Sequence, residues 1–472
     1  MLDTKGFRKF AHQVVDWMAD YYENIEKYPV KSGVKPGEIL SCLPDTPPEQ
    51  EEPMEVILKD FEEKIIPGIT HWQSPDFFAY FPANSSYPSV LAEMLTATLG
   101  AQCMVWETSP AAAELEEKMM QWIMYLTGIP SSFDGVIQDT ASTATLTSLL
   151  TAREQYTHFA INEKGFSGTE KFRVYASEET HSSIEKAVKI AGFGKENLVK
   201  CAVKKDFSMD TDSLREAIQN DLRRGFNPLA VVATLGTTGT TAIDPLKEIT
   251  NVAKEYGLWV HVDAALAGSA LILPEYRFMI EGIEDVDTFV FNAHKWLFTN
   301  FDCSLYFVKD KAALIRTFEI LPEYLKTKTH GRVNDYRDWG IQLGRRFRAL
   351  KLWFVLRNFG LRKMQEILRE HIRLAHMIRQ NVEEAPDFEL LAPAPLNTVC
   401  FRYHPSGMDE ETLNRINQQL MDTLNRSGKV YFTHTRLHGK FTIRFVIGQT
   451  YTREEHVRKA WSEIIRTAME IS

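Results

Sequence analysis

The sequence predicts an α/β protein built on a mostly parallel sheet, preceded by a helical segment and followed by a smaller α+β domain. Three observations carry this expectation. Residues 229–234 form an apolar, β-branched run, 245–256 show helical periodicity, and 258–263 form a second run, which together make a βαβ unit. Distinctive polar residues stand directly after the apolar runs, where parallel sheets place their ligands. From about Trp353 the pattern changes to a long amphipathic helix over 361–383 and short strands at 398–403 and 441–446.

In chain order, residues 5–27 read as an amphipathic helix, with Phe7, Phe10, Val14, Trp17 and Tyr21 on one face. One helix cannot bury such a face alone, so a second subunit is the favoured cover. A Pro- and acid-rich stretch at 44–53 reads as a linker. Further strands are expected at 135–138, 172–176, 286–291 and 304–308. The expected division is 1–85 (N-terminal helical segment packing on a partner), 86–355 (large α/β domain) and 356–472 (small α+β domain).

Composition narrows the function classes. The 472 residues are 44% hydrophobic and 25% charged, an ordinary globular balance. A net charge of -9 argues against nucleic-acid binding. The five cysteines show no paired spacing, which fits reduced thiols and neither a disulfide framework nor a zinc motif. The longest nearly apolar stretch, 264–274, is too short to cross a bilayer, and the first twelve residues lack an apolar leader core. A cytoplasmic protein is expected.

Five groups of residues follow strands. Lys295, in Asn292-Ala293-His294-Lys295-Trp296, comes directly after a buried run. It is either a lysine snorkelling out of a loop or a Schiff-base lysine whose amine is made nucleophilic by burial. Asp263 precedes it by 32 residues, as a helix cap or as a partner for a pyridine nitrogen. Thr140-Ala141-Ser142 opens a helix and suits either capping or a phosphate. The turn Gly236-Thr237-Thr238-Gly239-Thr240-Thr241 is similar, and His181 stands alone with no metal-ligand spacing. The polar segment 324–339 reads as a solvated loop or as a mobile lid.

Together these residues resemble the aromatic-L-amino-acid decarboxylases of the group II pyridoxal-phosphate-dependent family. The likeness spans nearly the whole chain. Its most specific segments are His71-Trp72-Gln73-Ser74-Pro75, Phe78-Ala79-Tyr80-Phe81-Pro82, His261-Val262-Asp263-Ala264-Ala265, the Lys295 motif and Leu343-Gly344-Arg345-Arg346-Phe347-Arg348. The resemblance implies the pyridoxal-phosphate-dependent transferase fold (aspartate aminotransferase type I-like), with a seven-stranded sheet. It also implies a homodimer with shared active sites and no metal.

Lys295 would carry the cofactor, Asp263 would meet its ring nitrogen, and His181 would stack on the ring. Thr238 would lie beside the substrate carboxylate or the cofactor, and Thr140, Ala141, Ser142, Asn292 and His294 would hold the phosphate. Trp72, Tyr80, Phe81, Pro82, Met104 and Gly344 would contact substrate. A tyrosine on the family's lid favours amine formation over the aldehyde outcome, and Tyr336 is assigned that proton-donor role. Asp139 stands where glycine is usual, Leu266 where tyrosine is usual, and Met104 where many relatives have phenylalanine. Met104 and Gly344 leave room for an indole and so favour tryptophan, giving tryptamine, among tryptophan, tyrosine, phenylalanine and dihydroxyphenylalanine. The rivals are an aromatic aldehyde synthase and an inactive dimeric paralogue.

Overall fold

The computed structural model describes residues 2–320 and 331–471, and the chain forms two compact units. The larger comprises Ala83–His376 and Ala392–Cys400; the smaller comprises Met1–Pro82, Met377–Leu391 and Phe401–Ser472. The units part between Pro82 and Ala83 and between His376 and Met377. Residue 356, the second expected boundary, lies near a kink at Gly360 (φ 66°), where two helices meet within Arg348–Glu384. The N-terminal segment, expected to form a unit of its own, instead shares one with most of the C-terminal region.

The larger unit is built on seven strands: β1 (Asp134–Gln138), β2 (Phe172–Ser177), β3 (Leu198–Cys201), β4 (Asn227–Thr234), β5 (Trp259–Asp263), β6 (Thr288–Asn292) and β7 (Ser304–Val308). Their order is β1-β7-β6-β5-β4-β2-β3. All neighbours run parallel except β7, which is antiparallel to both β1 and β6. Strands covered on both faces need continuous apolar runs, and β2, β5, β6 and β7 are buried at every position. One face packs Leu149, Ala152, Ile184 and Val188 against Val174, Val232 and Trp259. The strand β3 was not expected, because Leu198-Val199-Lys200-Cys201 is short and interrupted by a lysine.

Register fixes the functional edge. Because β1 and β6 flank the reversed β7, they point the same way. Gln138 and Asn292, their last residues, both pair with Ser304. Asp263, the last residue of β5, pairs with Thr234 of β4 and with Val290 of β6. The carboxyl ends of β1, β6, β5, β4 and β2 thus share one edge of the sheet.

The smaller unit carries β8 (Phe388–Leu390), β10 (Thr433–Leu437), β11 (Lys440–Val446) and the second half of β9 (Thr398–Tyr403), ordered β10-β11-β9-β8. Its first helix, Thr4–Glu23, is capped by Asp3, which accepts the Gly6 N–H at 2.7 Å, and it has no buried residue. The segment 71–82 is laced into this unit: the Phe78 N–H donates to the Tyr431 carbonyl at 3.0 Å, and the Val446 N–H donates to the Phe78 carbonyl at 3.1 Å. Among the described residues, no helix is long and apolar enough to cross a membrane.

Candidate active site

Each strand end at the shared edge delivers one of the residues singled out in the sequence. After β6 the chain makes a short helix, Ala293–Trp296, that holds Lys295. The turn is clamped by Asn84, whose Nδ2 donates to the Lys295 carbonyl at 2.7 Å and whose N–H donates to the His294 carbonyl at 2.9 Å. Burial pushes the Lys295 ammonium below the usual lysine range, and the carboxylate of Asp263 opposes that shift. A lysine held down in this way keeps more of its amine uncharged and nucleophilic.

Asp263 is 4% exposed, and its Oδ1 accepts the Ala265 N–H at 3.0 Å. His181 caps the helix Ser182–Ile190, with Nδ1 accepting the Ser183 N–H at 3.2 Å. Accepting there fixes the neutral tautomer, with the proton on Nε2. Desolvation lowers the His181 pKa, Asp263 acts to raise it and Lys295 to lower it, so the three groups interact electrostatically. The histidine is nevertheless exposed, presenting open ring surface at this edge.

The phosphate-suited groups are equally well defined. Thr140 caps the helix Ala141–Tyr156: its Oγ1 accepts the Thr143 N–H at 3.3 Å and its carbonyl accepts the Ala144 N–H at 3.1 Å. The Ala141 and Ser142 N–H groups come before the first helical hydrogen bond and are left for an anion. Asn292, 3% exposed, accepts the Ser304 hydroxyl on Oδ1, which leaves Nδ2 as its donor. His294 accepts the Cys303 N–H on Nδ1 at 2.9 Å, and burial pushes it down to about 3, so it is neutral with Nε2–H as donor. Half-buried Thr238 sits in a turn whose Thr237 and Thr240 hydroxyls bond each other at 3.1 Å. The turn needs glycine at 236 (φ 79°), since a Cβ there lies 2.8 Å from Ala267 Cβ.

Two departures in the sequence resolve locally. Asp139 turns its carboxylate onto the Thr140 N–H (2.6 Å) and onto Gln342 Nε2 (2.5 Å), so both oxygens are engaged. Leu266 is fully buried in the core.

Tyr336, assigned the proton-donor role, is held in a buried position. Tyr336 is 2% exposed and packs with Val136, Val290, Tyr306 and Trp339, while Arg345 lies over its ring at 4.9 Å. Burial and the neighbouring Glu116 and Glu117 carboxylates drive its hydroxyl well above the usual range. Residues 324–330 of the expected lid, with Lys326 and Lys328, lie outside the described residues.

The substrate-contacting candidates divide between the units. Trp72 stacks on Tyr80 at 5.6 Å, Tyr80 meets Tyr431 through their hydroxyls at 3.3 Å, and Arg444 lies 5.5 Å from the Phe81 ring, all with Pro82 in the smaller unit. Met104 and Gly344 belong to the larger unit, where the Met104 carbonyl accepts the Arg337 N–H at 2.9 Å. Sequence reasoning missed Asn84, Ser304 and Gln102. Only Asn84 carried a signal, in the polar run that follows Phe81-Pro82.

A buried amine beside a buried carboxylate, an open imidazole ring and unpaired helix N–H groups on one edge fit a phosphorylated pyridine aldehyde. The comparisons agree. The pyridoxal-dependent decarboxylase conserved domain matches residues 36–404. The chain is 44% identical to tyrosine decarboxylase 2 of Narcissus pseudonarcissus, over 98% of this chain and 93% of that one. It is also 44% identical to phenylacetaldehyde synthase of Arabidopsis thaliana, over 98% and 96%. Tryptophan decarboxylase of Catharanthus roseus, solved in complex with L-tryptophan, superposes with a TM-score of 0.94 at 39% identity, covering 100% of this chain and 99% of that one. The chain belongs to the pyridoxal-dependent decarboxylase family.

Proposed function

We propose that this enzyme decarboxylates an aromatic L-amino acid to the aryl-ethylamine and carbon dioxide, as a cytoplasmic homodimer whose subunits share each active site. The observation that carries the reading is the convergence of Lys295, Asp263, His181 and the free N–H groups of Ala141 and Ser142 on one sheet edge. Bound pyridoxal phosphate supplies an electron sink for the pair released as the carboxylate leaves. Lys295 holds the cofactor through its uncharged amine. Asp263 keeps a proton on the ring nitrogen, and His181 supports the ring with a fixed tautomer. Thr140, Ala141, Ser142, Asn292 and His294 bind the phosphate with neutral donors, and Thr238 lies beside the substrate carboxylate or the cofactor. Trp72, Tyr80, Phe81, Pro82, Met104 and Gly344 contact the aromatic side chain.

Two uncovered apolar surfaces support the dimer. Phe7 on the first helix is 60% exposed. On the helix Tyr87–Leu99, residues Tyr87, Leu91, Leu95 and Leu99 form an i, i+4 stripe exposed by 54%, 54%, 47% and 63%.

The second reading is an aldehyde synthase, favoured by the 44% identity to phenylacetaldehyde synthase. Tyr336, as the proton donor at Cα, places the decarboxylase reading first. The test is product analysis of the Tyr336→Phe holoenzyme: aldehyde and hydrogen peroxide are expected, and amine as the sole product removes Tyr336 from that role.

A further inference from the structure

The space left open by Gly344 is faced by a single oriented amide. Gln102 Oε1 accepts the Arg345 N–H at 2.7 Å. A backbone N–H pairs only with an acceptor, so the amide cannot be flipped and Nε2 is its outward group. Nε2 lies 3.3 Å from the position a Cβ at residue 344 takes. It has no hydrogen-bond partner among the described residues.

The anchor beneath it is rigid. Buried Arg345 donates to Glu116 Oε1 at 2.6 Å and to the Ile137 carbonyl at 2.7 Å, and Glu116 Oε1 also accepts the Ile137 N–H at 2.8 Å. Gln102, Gly344 and Arg345 line one cavity of about 350 Å³. A fixed amide N–H₂ distinguishes aromatic rings by whether they carry an acceptor. A phenol or catechol oxygen does; a phenyl ring does not, and an indole N–H only donates.

We infer that Gln102 is a specificity-determining residue that favours ring-hydroxylated aromatic amino acids over phenylalanine and tryptophan. This rests on the reading above that Gly344 contacts substrate. It opposes the tilt toward indole that open volume at Met104 and Gly344 gives by itself, because volume admits a ring whereas an unpaired donor selects among those admitted.

The test is kcat/KM for tyrosine, phenylalanine and tryptophan with purified holoenzyme, in the parent and in Gln102→Leu, Gln102→Glu and Gly344→Ser. The Glu variant keeps an oxygen for the Arg345 N–H and replaces the donor by a carboxylate, which accepts from a phenol O–H, so a ring hydroxyl still finds a partner there. The tyrosine-to-phenylalanine ratio should fall by about 3- to 10-fold in Gln102→Leu, the size of one neutral hydrogen bond, and be held in Gln102→Glu, with cofactor absorbance unchanged in both. An unchanged ratio in Gln102→Leu overturns the inference, as does an equal fall in Gln102→Glu, which reports only a disturbed anchor. If Gly344→Ser shifts the ratio while the Gln102 variants do not, the pocket assignment survives and Gln102 loses its role. If the parent turns over none of the three substrates, the functional reading itself fails.

Discussion

The carboxyl edge of the seven-stranded sheet and the stretch 331–348 are both dense in polar residues, yet they are built differently. At the sheet edge each reactive group sits within a few residues of a fully buried strand, and β register decides where it goes: Gln138 and Asn292 meet at Ser304, and Asp263 pairs with Thr234 and Val290. In the stretch 331–348, long-range side-chain bonds do the positioning. The Trp106 N–H donates to Asp335 Oδ1 at 2.9 Å, and Arg345 reaches Glu116 and Ile137. The difference suggests a division of labour, with chemistry fixed by the sheet and selectivity set on the irregular stretch, where a substitution leaves the cofactor site intact.

The largest expected effect is at the edge. Lys295→Ala should reduce turnover by at least about 10³-fold while leaving the fold intact by circular dichroism. Steady-state decarboxylation near the parent rate removes Lys295 from its role.

On the irregular stretch, the corresponding strong element is structural. Glu116→Ala leaves the Arg345 guanidinium buried and unpaired, so unfolding free energy should drop by about 3–5 kcal/mol. A loss under about 1 kcal/mol in chemical denaturation means that the pair behaves as a surface pair and does not anchor the stretch.

The third effect sharpens how the edge is held from below. His261 on β5 bonds Thr145 through Nε2 at 3.0 Å and Thr288 through Nδ1 at 2.8 Å, and burial pushes it down to about 4. The unfolded chain binds a proton at this histidine below about pH 6.5, whereas the folded chain does not until about pH 4. Stability from this group is therefore present at neutral pH and is lost as pH falls between those values. Between pH 7 and pH 5 the loss should be about 2 kcal/mol greater in the parent than in His261→Gln. Equal slopes contradict a neutral buried His261.

A smaller effect is expected at Asp139. Asp139→Asn keeps an acceptor for the Thr140 N–H but removes a negative charge beside the phosphate-binding groups. Cofactor affinity, read by absorbance titration of the apoenzyme, should tighten by about 3- to 10-fold. Weaker binding shows that the carboxylate supports the cradle instead of opposing it.

The smallest effect on stability is expected of Tyr336→Phe, less than about 1 kcal/mol, with product diverted toward aldehyde. Amine as the sole product would remove this residue from the chemistry.

Legibility in the sequence follows the same division. Residues 304–308 and 398–403 were expected as strands and are strands, because unbroken apolar runs leave few alternatives. Lys295, Asp263 and His181 could be found for the same reason, each following such a run. The burial of Tyr336 was not legible, because Asn334, Asp335, Arg337 and Asp338 give its neighbourhood the composition of a solvated loop. Arg337 and Asp338 are in fact buried against each other, with Nε to Oδ2 at 3.3 Å. Gln102 was invisible for a related reason: its orientation depends on a backbone N–H 243 residues away. The change of pattern near 356 was legible because two helices meet at a kink at Gly360, whereas the parting of the units at Met377 falls inside the second helix and left no mark in the sequence.

The central claim, that the groups gathered at the carboxyl edge release carbon dioxide and return a proton to Cα, is tested most directly by stoichiometry. Purified holoenzyme supplied with tyrosine should yield one aryl-ethylamine per carbon dioxide, with neither ammonia nor hydrogen peroxide. Aldehyde, ammonia and peroxide in equal amounts, with no amine, would contradict it.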